Sequence, residues 1–450
     1  MTPTDIDPEL KEAIISKIEM EKVNFIEMQF SDILGTVKSV SIPADKARRA
    51  LDEGVFIDGS SILGYTTIEE SDMRTLPIPE SFLIYPWTSN GSAKTARFMC
   101  KIYDHNGNRF KGDPRLVLEN VMEKAKEMGW VFNVGPEFEF FLFKLDENRN
   151  PLPVPADTGG YFDLMPMDEG EKVRKDIMLR FDEMGFDVEA GHHEVAPGQH
   201  EVDLRYNEAL TVADRMVTLK FGIKTIALAH GFHASFMPKP VFGENGSGMH
   251  VHQSLIGKNG ENVFDDPTGE FGLSENAFKY IGGLLHHIGS ACAITNAYVN
   301  SYKRLVPGYE APCYISWANM NRSALIRVPA GRGARARVEL RNPDPAGNPY
   351  LQFAIMLAAG MDGIKNGIYP PDPIEKDIYK MGPVERKKLG IDSLPENLGE
   401  ALSRMAESKL VKETLGDHIF QHYLHLKNME WDEFRISVTD WEIKKFLHIL

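Results

Sequence analysis

The chain of 450 residues is predicted to be an α+β protein of two or three domains. Segments with the 3.6-residue period of amphipathic helices are separated by segments with the two-residue period of strands. No repeat of fixed length links them, which argues against the regular βαβ order of a doubly wound sheet. With 42% hydrophobic residues, the chain can bury a large core.

The first hundred residues predict a small sheet domain. A helix at 7–22, strands at 23–32 and 36–42, and a helix at 43–54 precede an irregular loop, FIDGSSI, at 56–62. Turn-forming residues then concentrate at 104–114, so we divide the chain into domains at 1–107 and 108–450. Further helices are predicted at 115–129, 171–185, 208–231, 274–296 and 350–367.

Composition excludes several classes of function. Lys and Arg number 50 against 65 for Asp and Glu, a net charge of −15 that disfavours nucleic-acid binding. No stretch resembles a targeting segment or the ~20 apolar residues of a membrane helix, so a cytoplasmic location without membrane contact is expected. Cys100, Cys292 and Cys313 lack CxxC spacing and are interpreted as buried bystanders.

Pairs of acidic residues alternate in two predicted strands. Glu137 and Glu139 in VGPEFEFFLF share one strand face, although a solvated acidic face would give the same pattern. In HHEVAPGQHEVDLR, a turn at Pro197 and Gly198 would set Glu194 directly across from Glu201. A Pro-Gly turn splays strands, so this hairpin is expected to be loose, and a plain surface loop is the alternative.

Histidines and arginines repeat the same two-residue spacing. NGSGMHVHQS places His250 and His252 on one face, behind a glycine-rich turn. RARVELRNPDP does the same for Arg337, Glu339 and Arg341, which could form a simple ion-pair ladder. Further arginines suited to carboxylate and phosphate oxygens, and one glutamate, follow in nearby segments: Arg304, Glu310, Arg322 and Arg327.

Charge counting joins the acidic and basic sets. Glutamates 137, 139, 194, 201 and 339 would repel one another in one cavity unless cations were bound. Two divalent ions reduce those five charges to about −1. Carboxylate-rich ligation with one imidazole favours Mg²⁺ or Mn²⁺ over zinc, so the pattern predicts a two-metal phosphoryl-transfer site.

The ordered motifs resemble type I glutamine synthetases along almost the whole chain. The matching segments are FIDGSSI, VGPEFEFFLF, HHEVAPGQHE, NGSGMHVHQS, NSYKRLVPGYEAP, NRSALIR and VELRNPDPAGNPY. The resemblance implies an N-terminal β-grasp-like domain and a catalytic domain with a mostly antiparallel, curved sheet flanked by helices.

The resemblance also assigns the ligands. It implies two Mg²⁺ or Mn²⁺ ions per active site and ATP as co-substrate. Glu139, Glu194 and Glu201 would hold one ion, and Glu137, His250 and Glu339 the other. ATP phosphates and the transferring phosphoryl group would meet His252, Arg322 and Arg327, and the glutamate pocket would contain Arg304, Arg341, Asn245 and Gly246.

The implied activity is ligation of ammonia to the γ-carboxylate of L-glutamate through γ-glutamyl phosphate, giving glutamine, ADP and phosphate, a reaction of nitrogen assimilation. Asp58 would attract ammonium and take its proton, and Glu310 would cover the intermediate from a mobile flap. The implied assembly is a homododecamer of two hexameric rings, with Asp58 supplied by the neighbouring subunit. The sequence leaves a PII-like regulator open as a partner, because no segment identifies one.

Regulation is expected to follow the shorter, non-adenylylated alpha subtype. Adenylylated members carry tyrosine in a KNLYDLP-like segment, whereas this chain reads KDIYKMGP, so Tyr379 is not expected to be modified. Thr67 stands where related members have an arginine that transmits glutamine feedback, which puts such feedback in doubt.

Three alternatives remain open from the sequence. A γ-glutamyl ligase acting on a polyamine or another amine would need the same metals and arginines. A non-catalytic relative would keep only the fold, although all six metal positions carry suitable residues. A guanidino kinase would clamp phosphate similarly but would leave Asp58 unused.

Overall fold

The structure is a computed structural model that describes residues 6–65, 71–88 and 93–450. Within these ranges no helix is both long and apolar enough to cross a membrane. Cys100, Cys292 and Cys313 are buried free thiols. Thr67 lies outside the described residues, so the structure does not bear on its expected role.

A small N-terminal sheet has helices beside it. In the described residues its strand order is β2-β1-β6-β4-β3, with β5 on β6; β1 and β6 are parallel and the other neighbours antiparallel. A separate apolar core packs between this sheet and its helices α1 and α2. The elements are α1 (Pro8–Met20), β1 (Phe25–Ser31), β2 (Val37–Pro43), α2 (Ala47–Glu53), β3 (Val55–Asp58), β4 (Asp72–Pro77), β5 (Leu83–Ile84) and β6 (Thr95–Tyr103).

One expectation for this region was wrong. Phe56, Ile57 and Asp58 were predicted as irregular, but they belong to β3 and pair with β4. The hydrogen-bonding partner lies fourteen or more positions away in sequence, so the local pattern gave no sign of it.

The larger sheet forms around one long strand, β7. Its described order is β14-β15-β16-β13-β7-β10-β9, with β8, β11 and β12 also pairing with β7. All pairs except β14 with β15 are antiparallel. The strands are β7 (Val131–Leu145), β8 (Pro151–Pro155), β9 (Val188–His193), β10 (Gln199–Leu204), β11 (Asn207–Glu208), β12 (Phe232–Ser235), β13 (Val251–Ile256), β14 (Trp317–Asn319), β15 (Ile326–Val328) and β16 (Val338–Leu340).

Helices accompany this sheet, and their ends follow local sequence signals. Asp113, Ser274 and Asn348 each accept a backbone hydrogen bond as N-caps. Left-handed Gly367 ends one helix, and Gly416 interrupts another. The helices are α3 (Pro114–Glu127), α4 (Glu171–Glu183), α5 (Ala209–Ala229), α6 (Glu275–Thr295), α7 (Ser301–Arg304), α8 (Pro349–Asn366), α9 (Pro383–Lys388), α10 (Leu398–Glu407), α11 (Lys409–Ile436) and α12 (Asp440–Phe446).

Strand alternation in β7 separates the core from the functional face. Phe138 and Phe140 are fully buried in the large apolar core, together with side chains of α5, α6 and α8. Glu137 and Glu139 point the other way, into a cavity. The apolar packing behind the sheet therefore fixes the backbone that carries the acidic residues.

Candidate active site

Three rows of mostly polar residues cross the open face of the larger sheet. Most neighbours within a row are direct strand partners, and Gly248, His250 and Arg341 lie just beyond the ends of β13 and β16; adjacent rows are two residues apart along β7. The rows contain His192, Glu201, Glu139 and Gly248; Asp203, Glu137, His250 and Arg341; and Gly135, His252, Glu339 and Arg327.

A cavity of about 740 Å³ lies over this face. Loops between the strands complete its wall, and they bring in predicted substrate residues. A second cavity of about 320 Å³ adjoins it at Glu137 and Asp203 and is lined by His252 and Arg337. The larger cavity is also lined by Arg304 at the end of α7 and by loop residues that include Tyr161, Asn245, Gly246, Glu310 and Arg322.

Glu137, His250 and Glu339 form one group suited to a metal ion. Their ligand atoms lie within 4.8 Å of one another. Glu137 lies 2.7 Å from His250 Nδ1 and 2.8 Å from His252 Nε2. Burial opposes ionisation of Glu137, but these two hydrogen bonds outweigh it and lower the pKa of the carboxyl group.

Arginines neutralise the far side of this group. Glu339 accepts from Arg327 Nε at 2.6 Å and also from Arg341. Burial raises the pKa of Glu339, but the charges of Arg341, His252 and His250 together outweigh burial and lower that pKa. Burial and Arg341 lower the pKa of His250, which favours the neutral imidazole that a metal ion needs.

A second group consists of His192, Glu194 and Glu201. His192 lies 3.7 Å from Glu194 and 3.2 Å from Glu201. Burial, followed by the neighbouring Asp203 carboxylate, raises the pKa of Glu201 to about 11. Burial also raises the pKa of Glu194. These carboxyl groups therefore resist ionisation until a cation is present.

Glu139 lies next to the second group, as the direct strand partner of Glu201. Its Oε2 accepts hydrogen bonds from Gln199 Nε2 at 2.8 Å and from the Gly248 N–H at 2.9 Å. Burial and the carboxylates of Glu194 and Glu201 raise its pKa well above the usual value. The structure thus places Glu139 beside its predicted partners but adds His192 to them.

The hairpin that carries Glu194 differs in register from the expected one. Ala196 and Gln199 close the turn, with Gly198 at φ +68°, as a type II turn requires. The strand ladder resumes displaced by two residues, so that His192, not Glu194, lies opposite Glu201. This turn mismatches the strand twist, and the hairpin is looser than a tight two-residue turn. A shift of two keeps Glu194 on the same face.

Only some of the predicted phosphate- and carboxylate-binding arginines are free to contact a ligand. Arg304 is buried and donates to the carbonyl oxygens of Asn342 at 2.7 Å, Pro343 at 3.2 Å and Arg341 at 3.2 Å. Gly248 leaves it room, because a Cβ there would lie 2.4 Å from Arg304 Nη2. Arg322 is exposed on the cavity rim, where its guanidinium can meet a ligand.

Glu310 and Asn245 meet at the cavity mouth. Asn245 Nδ2 donates to Glu310 Oε2 at 3.1 Å, and Glu310 has a left-handed backbone with φ +57°. Gly246 approaches backbone closely, since a Cβ there would lie 2.1 Å from the Pro238 carbonyl oxygen. Tyr379 also lines the cavity, and its hydroxyl donates to Ala311 at 2.7 Å.

The structure does not bring Asp58 to the other predicted residues. It lies at the end of β3 on the N-terminal sheet, exposed and outside the cavity wall. Its Oδ1 accepts from the Ser60 hydroxyl at 2.7 Å and from the Ser60 N–H at 2.9 Å, which lowers the pKa of the carboxyl group.

Comparisons with known proteins match both parts of this architecture. The family model described as "Glutamine synthetase, catalytic domain" matches residues 111–446, and "Glutamine synthetase, beta-Grasp domain" matches residues 22–105. The chain belongs to the glutamine synthetase family. The resemblance inferred from the motifs, and the α+β fold with an N-terminal β-grasp domain, are therefore confirmed.

Proteins named glutamine synthetase align with nearly the whole chain. The protein of that name from Methanosarcina mazei is 53% identical over 440 residues, covering 98% of both chains. That from Clostridium saccharobutylicum is 52% identical over 438 residues, covering 97% of this chain and 98% of the relative. A solved structure titled "GmaS/ADP complex-Conformation 1" has a TM-score of 0.87 and 30% identity, covering 97% of this chain and 99% of that chain.

Within this glutamine synthetase fold, the sequence interpretation missed several cavity residues. His192 and Asp203 continue the alternation of Glu194 and Glu201, so the same period-two argument could have found them. Gln199 begins β10 and continues the same alternation, whereas Tyr161 gave no comparable signal because it comes from an irregular segment. The donor atoms of the two groups, carboxylate oxygens with one imidazole each, fit divalent cations.

Proposed function

We propose that this protein is a glutamate–ammonia ligase that forms L-glutamine, ADP and phosphate from L-glutamate, ammonia and ATP. The supporting observation is the sheet face on which two carboxylate–imidazole groups lie beside Arg327 and Arg341 in one cavity. Relatives of about 50% identity over the full chain are named glutamine synthetases, which supports the same activity here.

Two divalent ions, Mg²⁺ or Mn²⁺, would occupy these groups. Glu137, His250 and Glu339 would hold one ion; Glu139, Glu194 and Glu201, joined by His192, would hold the other. When bound, such ions neutralise charge on nucleotide phosphates and on a phosphoryl group in transfer. A relative whose structure is titled an ADP complex supports a nucleotide site, which we place in the adjoining cavity at His252.

The chain's own residues would act in two chemical steps. The γ-carboxylate of glutamate attacks the γ-phosphorus of ATP, ADP leaves, and γ-glutamyl phosphate forms. Arg322 and Arg327 would hold the transferring group, and Arg304 and Arg341, with Asn245 and Gly246, would orient the amino acid. Ammonia then attacks the acyl carbon, and phosphate leaves.

The nitrogen source must lose one proton as ammonium before the attack and another after the C–N bond has formed. At neutral pH the nitrogen source is mostly ammonium, so a carboxylate is needed to attract it and accept a proton. Asp58 would take that role, and Glu310 at the cavity mouth would cover the intermediate and accept a later proton.

The exposed position of Asp58 supports a site shared between subunits. We propose a cytoplasmic homododecamer of two hexameric rings, in which Asp58 of one subunit reaches the cavity of its neighbour. Mixing Asp58→Ala subunits with Arg322→Ala subunits, each inactive alone, should restore partial activity. Absence of recovery, with subunit exchange verified by mass spectrometry of tagged chains, would contradict the arrangement.

Product analysis tests the reaction itself. Glutamine formation should require glutamate, ammonium, ATP and Mg²⁺ together, and phosphate release should stop when either glutamate or ammonium is omitted. Turnover that favours putrescine or ethylamine over ammonium would instead identify a γ-glutamyl amine ligase. Phosphate transfer without any amine would point to a kinase.

A further inference from the structure

The reverse face of the β9–β10 hairpin holds another group of acids and histidines. Asp157, Asp168, His193 and His200 are all buried, and their ligand-type atoms lie within 4.8 Å of one another. Asp157 and Asp168 come from the irregular segment between β8 and α4, and the histidines are direct partners on the hairpin. By composition alone, this group could be a metal site.

A guanidinium already takes the place of a cation there. Arg174 Nη1 lies 2.8 Å from Asp168 Oδ2 and 2.8 Å from His200 Nδ1. Arginine can only donate, so Nδ1 of His200 must accept, and its proton resides on Nε2. Neither ring nitrogen then has a lone pair free for a metal ion.

His193 links Asp157 to the backbone of Glu194. Its Nε2 lies 3.0 Å from Asp157 Oδ1, and its Nδ1 lies 2.6 Å from the Glu194 carbonyl oxygen. Both neighbours are acceptors, so both ring nitrogens donate. Asp157 Oδ1 also accepts the Gly198 N–H at 2.8 Å, which ties down the far end of the same turn.

The surrounding packing leaves this linkage little freedom. A Cβ on Gly159 would lie 2.8 Å from His193 Nε2, and one on Gly198 would lie 2.8 Å from the Leu142 carbonyl oxygen. The turn from Glu194 to Gln199 is therefore held from behind at both ends. The Glu194 N–H also donates to the Gln199 carbonyl oxygen at 2.7 Å, so the contact of His193 with the Glu194 carbonyl group adds to a hydrogen bond within the turn.

We propose that Asp157 and His193 are positioning residues that hold the Glu194 backbone so that its carboxylate meets Glu201 and Glu139 around a divalent cation. The inference rests on the proposed function only for the identity of that cation site. Substitution of a residue that contacts a metal ligand commonly lowers metal affinity by about 10- to 100-fold.

Mn²⁺ binding to the full-length, metal-free protein tests this directly, by electron paramagnetic resonance and calorimetry. Two His193 variants separate its two contacts. The amide nitrogen of His193→Asn lies near the position of Nδ1 and keeps the donor to Glu194, whereas that of His193→Gln lies near Nε2 and keeps only the contact with Asp157. His193→Gln should weaken one of two Mn²⁺ sites about tenfold. His193→Asn should weaken it less, and so should Asp157→Asn, because asparagine loses the charge but keeps an oxygen that can accept from His193 and Gly198.

Asp214→Asn is a matched control. Asp214 is similarly buried and accepts from Arg115 Nη2 at 3.0 Å and from the Tyr350 hydroxyl at 2.6 Å. The same change there removes a charge from a comparable network on α5. Thermal stability should fall, while both Mn²⁺ affinities should stay within about twofold of the parent protein.

Several results would overturn the proposal. The first is an unchanged Mn²⁺ affinity in folded His193→Gln, and the second is a loss of Mn²⁺ affinity in His193→Gln that only equals the loss in Asp214→Asn. The third is a metal ion that EDTA does not remove from the parent protein but that Asp157→Asn releases. If Asp157→Asn does not fold, the two His193 variants decide. A parent protein that binds two Mn²⁺ ions but makes no glutamine would refute the ligase and leave the positioning role standing; one that binds no Mn²⁺ would refute both.

Discussion

The two faces of the β9–β10 hairpin both contact acidic residues and histidines, but only the acids on the reverse face have cationic partners within the part of the chain that the structure describes. On the cavity face, Glu139, Glu194, Glu201 and Asp203 form no ion pair with lysine or arginine anywhere in residues 6–65, 71–88 and 93–450. On the reverse face, Asp168 pairs with Arg174, and Asp157 with His193. Acids that pair with a cation of the chain stabilise the fold, whereas buried carboxyl groups without such a partner resist ionisation until a cation binds.

The largest effect is expected from Glu201→Gln, which removes a carboxyl group from the cavity face. Ligase activity should fall by at least about 100-fold, because a carboxylate ligand is lost. Stability of the metal-free protein should change by less than about 1 kcal/mol, since burial already favours the uncharged carboxyl group. Urea unfolding and turnover at saturating Mg²⁺ measure the two quantities, and a large loss of stability would contradict this account.

On the reverse face, Asp168→Asn should mainly lower stability, in contrast to Glu201→Gln on the cavity face. Arg174 would lose its buried partner at 2.8 Å, which should lower the free energy of unfolding by about 3 kcal/mol. The measurement is urea unfolding of the metal-free protein at one fixed subunit concentration. A change below about 1 kcal/mol would show that this pair does not carry the stability assigned to it.

The two faces should also differ in pH dependence. The pKa of Glu201 is raised from 4.5 to about 11, so the metal-free protein should lose stability as pH rises through that interval. Burial raises the pKa of Asp157, but the hydrogen bonds from His193 and Gly198, with the charges of His193 and His200, together outweigh burial and lower that pKa from 3.8 to about 2. Its contribution should be present above pH 3.8 and disappear as pH falls through about 2.

Proton release on metal binding follows from the same shift. Carboxyl groups that hold protons at pH 7 must ionise before they bind Mg²⁺, so about one or two protons should leave and affinity should rise with pH. Calorimetry in buffers of different ionisation enthalpy measures this release. Equal binding enthalpies in all buffers would contradict it.

The smallest effect is expected from Asp187→Asn beside the open end of the hairpin. Asp187 pairs with Arg205 at 3.4 Å, but both side chains are 56% exposed. Such a pair contributes within about 0.5 kcal/mol, so stability and Mn²⁺ affinity should both match the parent protein. Asparagine also tolerates the left-handed backbone found here, φ +53°.

Strand alternation made much of the cavity face predictable. Glu137 and Glu139, or His250 and His252, must share a face whichever strands pair, because the two-residue period is local. Cross-strand partners depend on turn geometry and distant contacts, so the pairing of His192 with Glu201 was not foreseen. The seven predicted helices lie near observed ones because caps and apolar periodicity are also local, whereas α7 and α9 to α12 were not predicted.

Other features had no sequence signal. Asp157 and Asp168 lie in a segment without periodicity, and only the folded chain brings them under the hairpin. The role expected of Asp58 came from the family resemblance, since nothing in its local sequence points to the cavity. The division at 107 and 108, the dodecamer and the individual site roles stay predictions.

The spacing of the three rows restricts how this protein can change during evolution. Glu137 and Glu139 share β7 but belong to different rows, each completed by other strands. One inserted or deleted residue within β7 would turn every ligand beyond it into the hydrophobic core. Length variation is therefore expected in the connecting loops, while the strands should tolerate only point substitutions.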